Sequence, residues 1–205
     1  MTSMDGKWGE SFPLHRRAVV NRLLADRGDL LVVAGLGACA WDITAAGDHD
    51  CNFPLWGAMG GAVMIGLGLA QAQPKRRVLV LTGDGEMLMG VGSLATVAVK
   101  KPQNLAIVVL DNERFGETGM QTTHTAAGAD LAAAAAGLGI ETVSTVVDEA
   151  GVDAVLDRVH NHQGPSFDVI KIRAEAHEFS LPPKDGAYLK DRFRVAVLGK
   201  EAATL

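Results

Sequence analysis

The sequence predicts an α/β fold: a mostly parallel sheet covered by helices on both faces, three layers deep. Three observations carry this. Five short apolar runs recur, at residues 30–34, 78–81, 105–110, 142–147 and 167–172. Segments with helical spacing stand between them, and glycine or proline marks most of the joints.

Each element has its own reason. Residues 14–27 read as an amphipathic helix closed by Gly28, and 30–34 as an apolar strand. The glycine-rich loop Gly35-Leu36-Gly37-Ala38 follows, and 48–56 read as irregular. Residues 57–72 form a helix of small residues and methionine, able to lie close to another backbone, and Pro74 stops it. After the strand at 78–81, a helix is expected over 87–99, with Lys100 and Lys101 where cations suit the helix dipole. The strand at 105–110 leads to an alanine-rich helix at 129–138. A strand, a helix over 149–160 and the last strand complete the pattern. The polar tail, 174–205, contains Pro182-Pro183 and is expected to wrap over the surface or a partner.

At 205 residues the whole chain, 1–205, is expected to be one domain with a full core. A hydrophobic share of 48% with 24 glycines fits a globular α/β protein rich in tight turns. The net charge of −5 argues against nucleic acid as a partner. Cys39 and Cys51 are too few for a disulfide scaffold and lack metal-ligand spacing, so they read as core or loop residues. The start, MTSMDGKWGESFP, has no apolar signal region, and no apolar run reaches membrane-spanning length. A cytoplasmic protein without a membrane partner is expected.

The most informative stretch runs from Gly83-Asp84-Gly85 to Asp111-Asn112-Glu113-Arg114. A carboxylate and a side-chain amide stand at the ends of two successive strands. A parallel sheet can bring both to the edge where such sheets hold ligands. Hard divalent cations want such oxygen donors and keep company with phosphates. The Gly35-Leu36-Gly37-Ala38-Cys39-Ala40 loop imitates a dinucleotide-binding turn. The acid that should end a second strand is missing, because Asp48 and Asp50 fall in a stretch read as strandless. It reads either as a bare structural turn or as a loop whose exposed N–H groups approach some other phosphate.

Taken together, these residues resemble the cofactor motif of thiamine diphosphate enzymes, in which Gly-Asp-Gly is followed after a helix and a strand by Asn-Asn. The resemblance covers most of the chain and implies the thiamine diphosphate-binding fold, with Mg²⁺ as second cofactor. By position, Asp84, Asn112 and the backbone carbonyl of Arg114 would ligate the metal. Gly83, Gly85, Glu86, Phe115 and Gly116, with Gly35, Gly37 and Ala38, would line the diphosphate. Met59 would wedge between the two cofactor rings, and the Gly57 carbonyl would meet the amine. Two residues depart from the motif. Asp111 replaces the first Asn, which is not the usual ligand. Glu86 stands where Ser or Ala is common, and a carboxylate there must turn away from the diphosphate or meet a cation.

A narrower resemblance rests on Gly92-Ser93-Leu94-Ala95-Thr96, on Asp111 through Gly119, and on Gln121-Thr122-Thr123-His124-Thr125. These pieces are similar to the sulfopyruvate and phosphonopyruvate decarboxylases, particularly the β subunit of the two-subunit sulfopyruvate enzyme. The resemblance implies decarboxylation of a small anionic 2-oxo acid. It also implies an α subunit whose pyrimidine-binding domain donates the activating glutamate, in an α₂β₂ or larger assembly. Glu117 and His124 are the candidate catalytic residues, with Thr118 and Gln121 beside them, although an ordinary loop histidine is the readier reading of His124; Lys184, Lys190 and Arg192 are candidate anion contacts, for which a solvated surface is the readier reading. Two alternatives stand: an acetolactate synthase-like carboligase subunit, and a non-catalytic binding module. An oxidoreductase is disfavoured because no iron–sulfur cysteine set is present.

Overall fold

The computed structural model describes residues 12–204; the N-terminal segment read for a signal, 1–11, lies outside the described residues. The elements follow in order. Helix α1 (Arg16–Leu24) precedes strand β1 (Leu31–Ala34), α2 (Ala38–Ala45), β2 (Asn52–Pro54) and α3 (Ala62–Ala72). Strand β3 (Val78–Gly83), α4 (Asp84–Met89), α5 (Ser93–Lys100) and β4 (Leu105–Asp111) come next. A small hairpin pairs β5 (Arg114–Phe115) with β6 (Gln121–Thr122). Then come α6 (Leu131–Gly137), β7 (Thr142–Val146), α7 (Glu149–Asn161), β8 (Ser166–Lys171) and α8 (Gly186–Leu198).

The main sheet has the order β2-β1-β3-β4-β8-β7, and every neighbouring pair is parallel. Strands of such a sheet are buried on both faces, and all seven residues of β4 are buried. Side chains alternate along each strand. Val32, Ala34, Leu79 and Leu81 face a core made with Val19 and Leu23 of α1, Ile43 of α2 and Val155 of α7. Leu31, Val33, Val78 and Val80 face the opposite core, with Leu67 of α3, Leu94 of α5 and Ala135 of α6. Helices therefore cover both faces, as expected.

Helix α3 reaches the sheet closely. A Cβ built on Gly66 would fall 2.1 Å from Val80 Cγ2. The small residues of this helix let its axis sink toward β3.

Several expectations about the elements are corrected. The stretch read as irregular contains β2, a three-residue edge strand whose Pro54 is tolerated at the strand end. The expected helix at 57–72 begins only at Ala62. Residues 58–61 form a tight turn instead, with Ala58 at φ +58° and Gly60 at φ +87°. The expected helix at 87–99 is two helices, broken around Gly90 where the chain meets the backbone of Gly60. The polar tail carries α8, capped by Asp185, which accepts the N–H groups of Ala187 and Tyr188. Phe193 of α8 packs against Phe53, the tilted rings 5.1 Å apart at their centroids, and Trp56 Nε1 donates to the Pro183 carbonyl at 2.9 Å. Among the described residues, no helix is long and apolar enough to cross a membrane.

Candidate functional site

The chain leaves β1 toward β2 on one side of the sheet, and leaves β3 toward β4 on the other. Loops that diverge from the carboxyl ends of two such strands open a crevice between them. A cavity of about 330 Å³ lies there. Its walls are the loop after β1 (Leu36, Ala38, Cys39), the β3–α4 junction (Gly83 to Glu86), and the segment after β4 (Asn112, Arg114 to Thr118). Met59, Met120, Leu110 and Ile172 supply apolar surface.

Asp84 starts α4 and is only 2% exposed. Its Oδ2 accepts the hydroxyls of Thr123 and Thr125, the latter at 3.1 Å. This leaves Oδ1 without a side-chain partner among the described residues. Thr125 Oγ1 also lies 2.9 Å from Asp111 Oδ1, and Lys171 Nζ is 2.8 Å from Asp111 Oδ2 and 2.9 Å from Glu113 Oε1. Burial, reinforced by the negative charge of Asp111, pushes the Asp84 carboxyl up to about 6. Asp111 thus faces Lys171 and the threonines.

Asn112 is oriented by its own turn: its Oδ1 accepts the Arg114 N–H at 3.0 Å, and Glu113 adopts a left-handed φ of +60°. The chain then enters the β5–β6 hairpin, which folds back over the junction. The Glu117 carboxylate lies over Gly37, where a built Cβ would be 2.7 Å from Oε1. Burial raises the Glu117 carboxyl, and the Arg16 charge opposes the rise.

Glu86 turns away from the junction. It is 5% exposed, and its two oxygens accept Thr82 Oγ1 at 2.9 Å and the Gly60 N–H at 3.3 Å. The Leu36 N–H is a third donor to it. Burial raises its carboxyl, and these bonds oppose the rise.

Most of the residues expected at the site therefore border one cavity: Ala38, Met59, Gly83, Asp84, Gly85, Glu86, Asn112, Arg114, Phe115, Gly116, Glu117 and Thr118. Gly35 and Gly37 lie behind its wall, making room for Glu86 and Glu117. Gly57, Gln121 and His124 are exposed and outside the lining. Arg192 is paired with Asp48, and Lys190 with Asp191. Cys39 and Cys51 are buried and free. Sequence reasoning missed Arg16, which lines the cavity at 6% exposed and pairs with buried Asp42. It also gave Thr123 and Thr125 no role. Their one signal was the alternation with His124, which puts both threonines inside and the histidine out.

The walls suit a magnesium-bound diphosphate. They offer oxygen from a carboxylate, an amide and main-chain carbonyls, the hard donors such a cation takes. No trio of His, Cys, Asp or Glu among the described residues is placed to hold a metal on its own. A Cβ on Gly83 would enter open space. The first turn of α2, behind Gly37, has no side-chain cap, which leaves its N–H groups for an anion.

Comparison with known proteins bears on the family of the chain. The family model described as thiamine pyrophosphate enzyme, C-terminal TPP binding domain, matches residues 38–170. The chain is 34% identical to the sulfopyruvate decarboxylase subunit beta of Methanothermobacter thermautotrophicus, over 91% of this chain and 97% of that one. It is 36% identical to the phosphonopyruvate decarboxylase of Streptomyces viridochromogenes, over 92% of this chain but only 48% of that longer protein. The crystal structure of benzoylformate decarboxylase from Polynucleobacter necessarius shares the fold. It superposes at a TM-score of 0.68 with 20% identity, over 86% of this chain and 36% of that one.

Proposed function

The chain belongs to the thiamine pyrophosphate enzymes, by their C-terminal cofactor-binding domain, and from that membership we propose that it is the β subunit of a Mg²⁺-dependent 2-oxo acid decarboxylase. Its substrate is a short anionic acid of the sulfopyruvate or phosphonopyruvate kind. Residues 1–205 act as one cofactor-binding domain, and a separate α subunit brings the pyrimidine-binding domain, in an α₂β₂ or larger assembly. The observation that carries this reading is the convergence of Asp84, Asn112 and the hairpin at Phe115 on one cavity, where the strand order reverses.

When bound, thiamine diphosphate supplies the electron sink that lets a 2-oxo acid lose CO₂. The chain's own residues do the rest. Asp84, through the oxygen that has no side-chain partner, Asn112 and the Arg114 carbonyl would hold Mg²⁺. The backbone of Gly83, Gly85 and Glu86 and the Gly35–Ala38 loop would hold the diphosphate. Met59 would set the angle between the cofactor rings, with the Gly57 carbonyl beyond it. Leu36, Leu110, Met120 and Ile172 exclude water from one side. Glu117 lines the cavity at its exposed mouth, and burial raises its carboxyl against the opposing Arg16 charge, which would suit it to exchange a proton with substrate. His124, exposed and outside the lining, would need a partner subunit or a hairpin movement to reach substrate. The glutamate that activates the aminopyrimidine would come from the α subunit.

The test is to combine the chain with a pyrimidine-domain subunit, thiamine diphosphate and Mg²⁺, and to follow CO₂ release from sulfopyruvate, phosphonopyruvate and pyruvate. Release from an anionic 2-oxo acid, dependent on both subunits, is the expected result. Carbon–carbon ligation products would reassign the chain to a carboligase. Failure to bind the cofactor even with the α subunit present would leave a non-catalytic module.

A further inference from the structure

Glu86 is a buried carboxylate with an unusual set of neighbours. Three donors converge on its two oxygens: the Thr82 hydroxyl at 2.9 Å, the Gly60 N–H at 3.3 Å and the Leu36 N–H. No ion pair compensates it among the described residues. A side chain so placed is held by dipoles alone, and charge-assisted bonds of this kind are about twice as strong as neutral ones.

The three donors come from three different segments. Thr82 belongs to β3. Leu36 lies in the loop after β1, beside Gly37 and the first turn of α2. Gly60 belongs to the tight turn that presents Met59, closed by the Gly61 N–H to the Ala58 carbonyl at 2.8 Å. That turn holds Ala58 in the left-handed region, a strained place for a residue with a Cβ. It survives only if neighbours over-determine it, and the Glu86 bond is one of them. The backbone contact of Gly60 with Gly90, at the end of α4, is another. Gly35 completes the arrangement. A Cβ there would stand 1.8 Å from Glu86 Oε2, so only glycine leaves the carboxylate its seat.

We propose that Glu86 is a positioning residue that ties the Met59 turn to the Gly35–Ala38 loop, fixing the two walls of the cavity at one separation. The proposal rests on the cofactor reading above, since those walls are the ones assigned there to the ring end and the diphosphate end. It also answers what a carboxylate is doing beside a diphosphate site: it points into the wall and spends its oxygens on the wall's own N–H groups. Glutamate differs from glutamine here by its charge. An amide keeps one acceptor oxygen for the Gly60 N–H, can turn its NH₂ to the Thr82 hydroxyl, and loses the negative charge that the Gly60 and Leu36 N–H groups favour.

The test uses Glu86→Gln and Gly35→Ala, the second displacing the carboxylate without removing it. Hydrogen exchange of the free chain reads the wall directly. Faster exchange is expected around Leu36 and Gly60 in both variants, with strands β3 and β4 unchanged. Affinity for thiamine diphosphate with Mg²⁺, measured by calorimetry with the α subunit present, should fall about tenfold, as for residues that orient a ligand shell. If either variant does not fold, the other carries the test, and Thr82→Val, which removes one donor and leaves both N–H contacts, should give a smaller effect. Exchange and affinity equal to wild type in Glu86→Gln would overturn the proposal and leave the side chain a space filler. Wild-type protein that fails to bind the cofactor would instead overturn the reading of the site, while the exchange result would still decide the role of Glu86.

Discussion

Phe115 rests on Gly85: a Cβ built at Gly85 would stand 2.3 Å from Phe115 Cε1. The hairpin can close over the β3–α4 junction only because residue 85 has no side chain. Gly85→Ala should lift Phe115 and open the cavity while the central sheet stays intact. Cofactor affinity measured by calorimetry should drop at least tenfold, with the midpoint of thermal unfolding within about 3 °C of wild type.

Asp84 offers the cavity a carboxylate oxygen, Oδ1, that has no side-chain partner among the described residues. Asp84→Ala should abolish Mg²⁺-dependent binding of thiamine diphosphate in a titration with and without the metal. Binding that persists unchanged would remove Asp84 from the metal site.

The hydroxyls of Thr123 and Thr125 aim that oxygen. Thr123→Val and Thr125→Val each keep shape and lose one bond to Asp84. Metal affinity should weaken by about 10- to 100-fold in the double variant. Added Mg²⁺ should restore turnover, because the ligand is misaimed and not missing.

Away from the cavity, the seat of α3 on β3 can be tested through Gly66. Gly66→Ala would drive a methyl into Val80, a stiff β-branched side chain fixed in the sheet. Such overpacking costs about 1–3 kcal/mol, so thermal unfolding should shift down by several degrees with cofactor affinity little changed.

Glu175 gives a pH dependence. Burial raises its carboxyl, but bonds from His15, His177 and the Arg16 N–H outweigh this and leave it below the ordinary 4.5. Its contribution to stability is therefore complete above 4.5 and fades as the pH falls below that value. Wild type should unfold at a higher temperature than Glu175→Gln at pH 7. The gap should close on acidification below 4.5; a gap that does not change with pH would contradict the assignment.

The parts of the fold legible in the sequence were those with local causes. Runs such as 105–110 announce a buried strand by composition alone. The edge strand Asn52–Pro54 did not, because Asn52 and Pro54, poor strand formers, flank a single favourable Phe53 and the segment is held by pairing with β1. Helix α8 was hidden by its charges, although Leu189, Phe193, Ala196 and Val197 repeat at helical spacing. At the site, the motif located Asp84 and Asn112. It could not reveal that Arg16 closes the cavity against Asp42, since that contact depends on how α1 packs on α2. Nor could it tell which way Glu86 points, because the answer lies in the missing side chain of Gly35.

The C-terminal helix has a consequence for how the protein would fail. Phe193 covers Phe53, and Ala196 and Val197 pack against the core that Ile65 and Leu69 of α3 also join. A chain ending at residue 184 would keep every residue of the cavity and lose that cover. It would still recognise its ligand, but the bared aromatic and aliphatic patch would seek the same patch on other copies. Its loss would show as precipitation, and assays of dilute soluble protein would miss it.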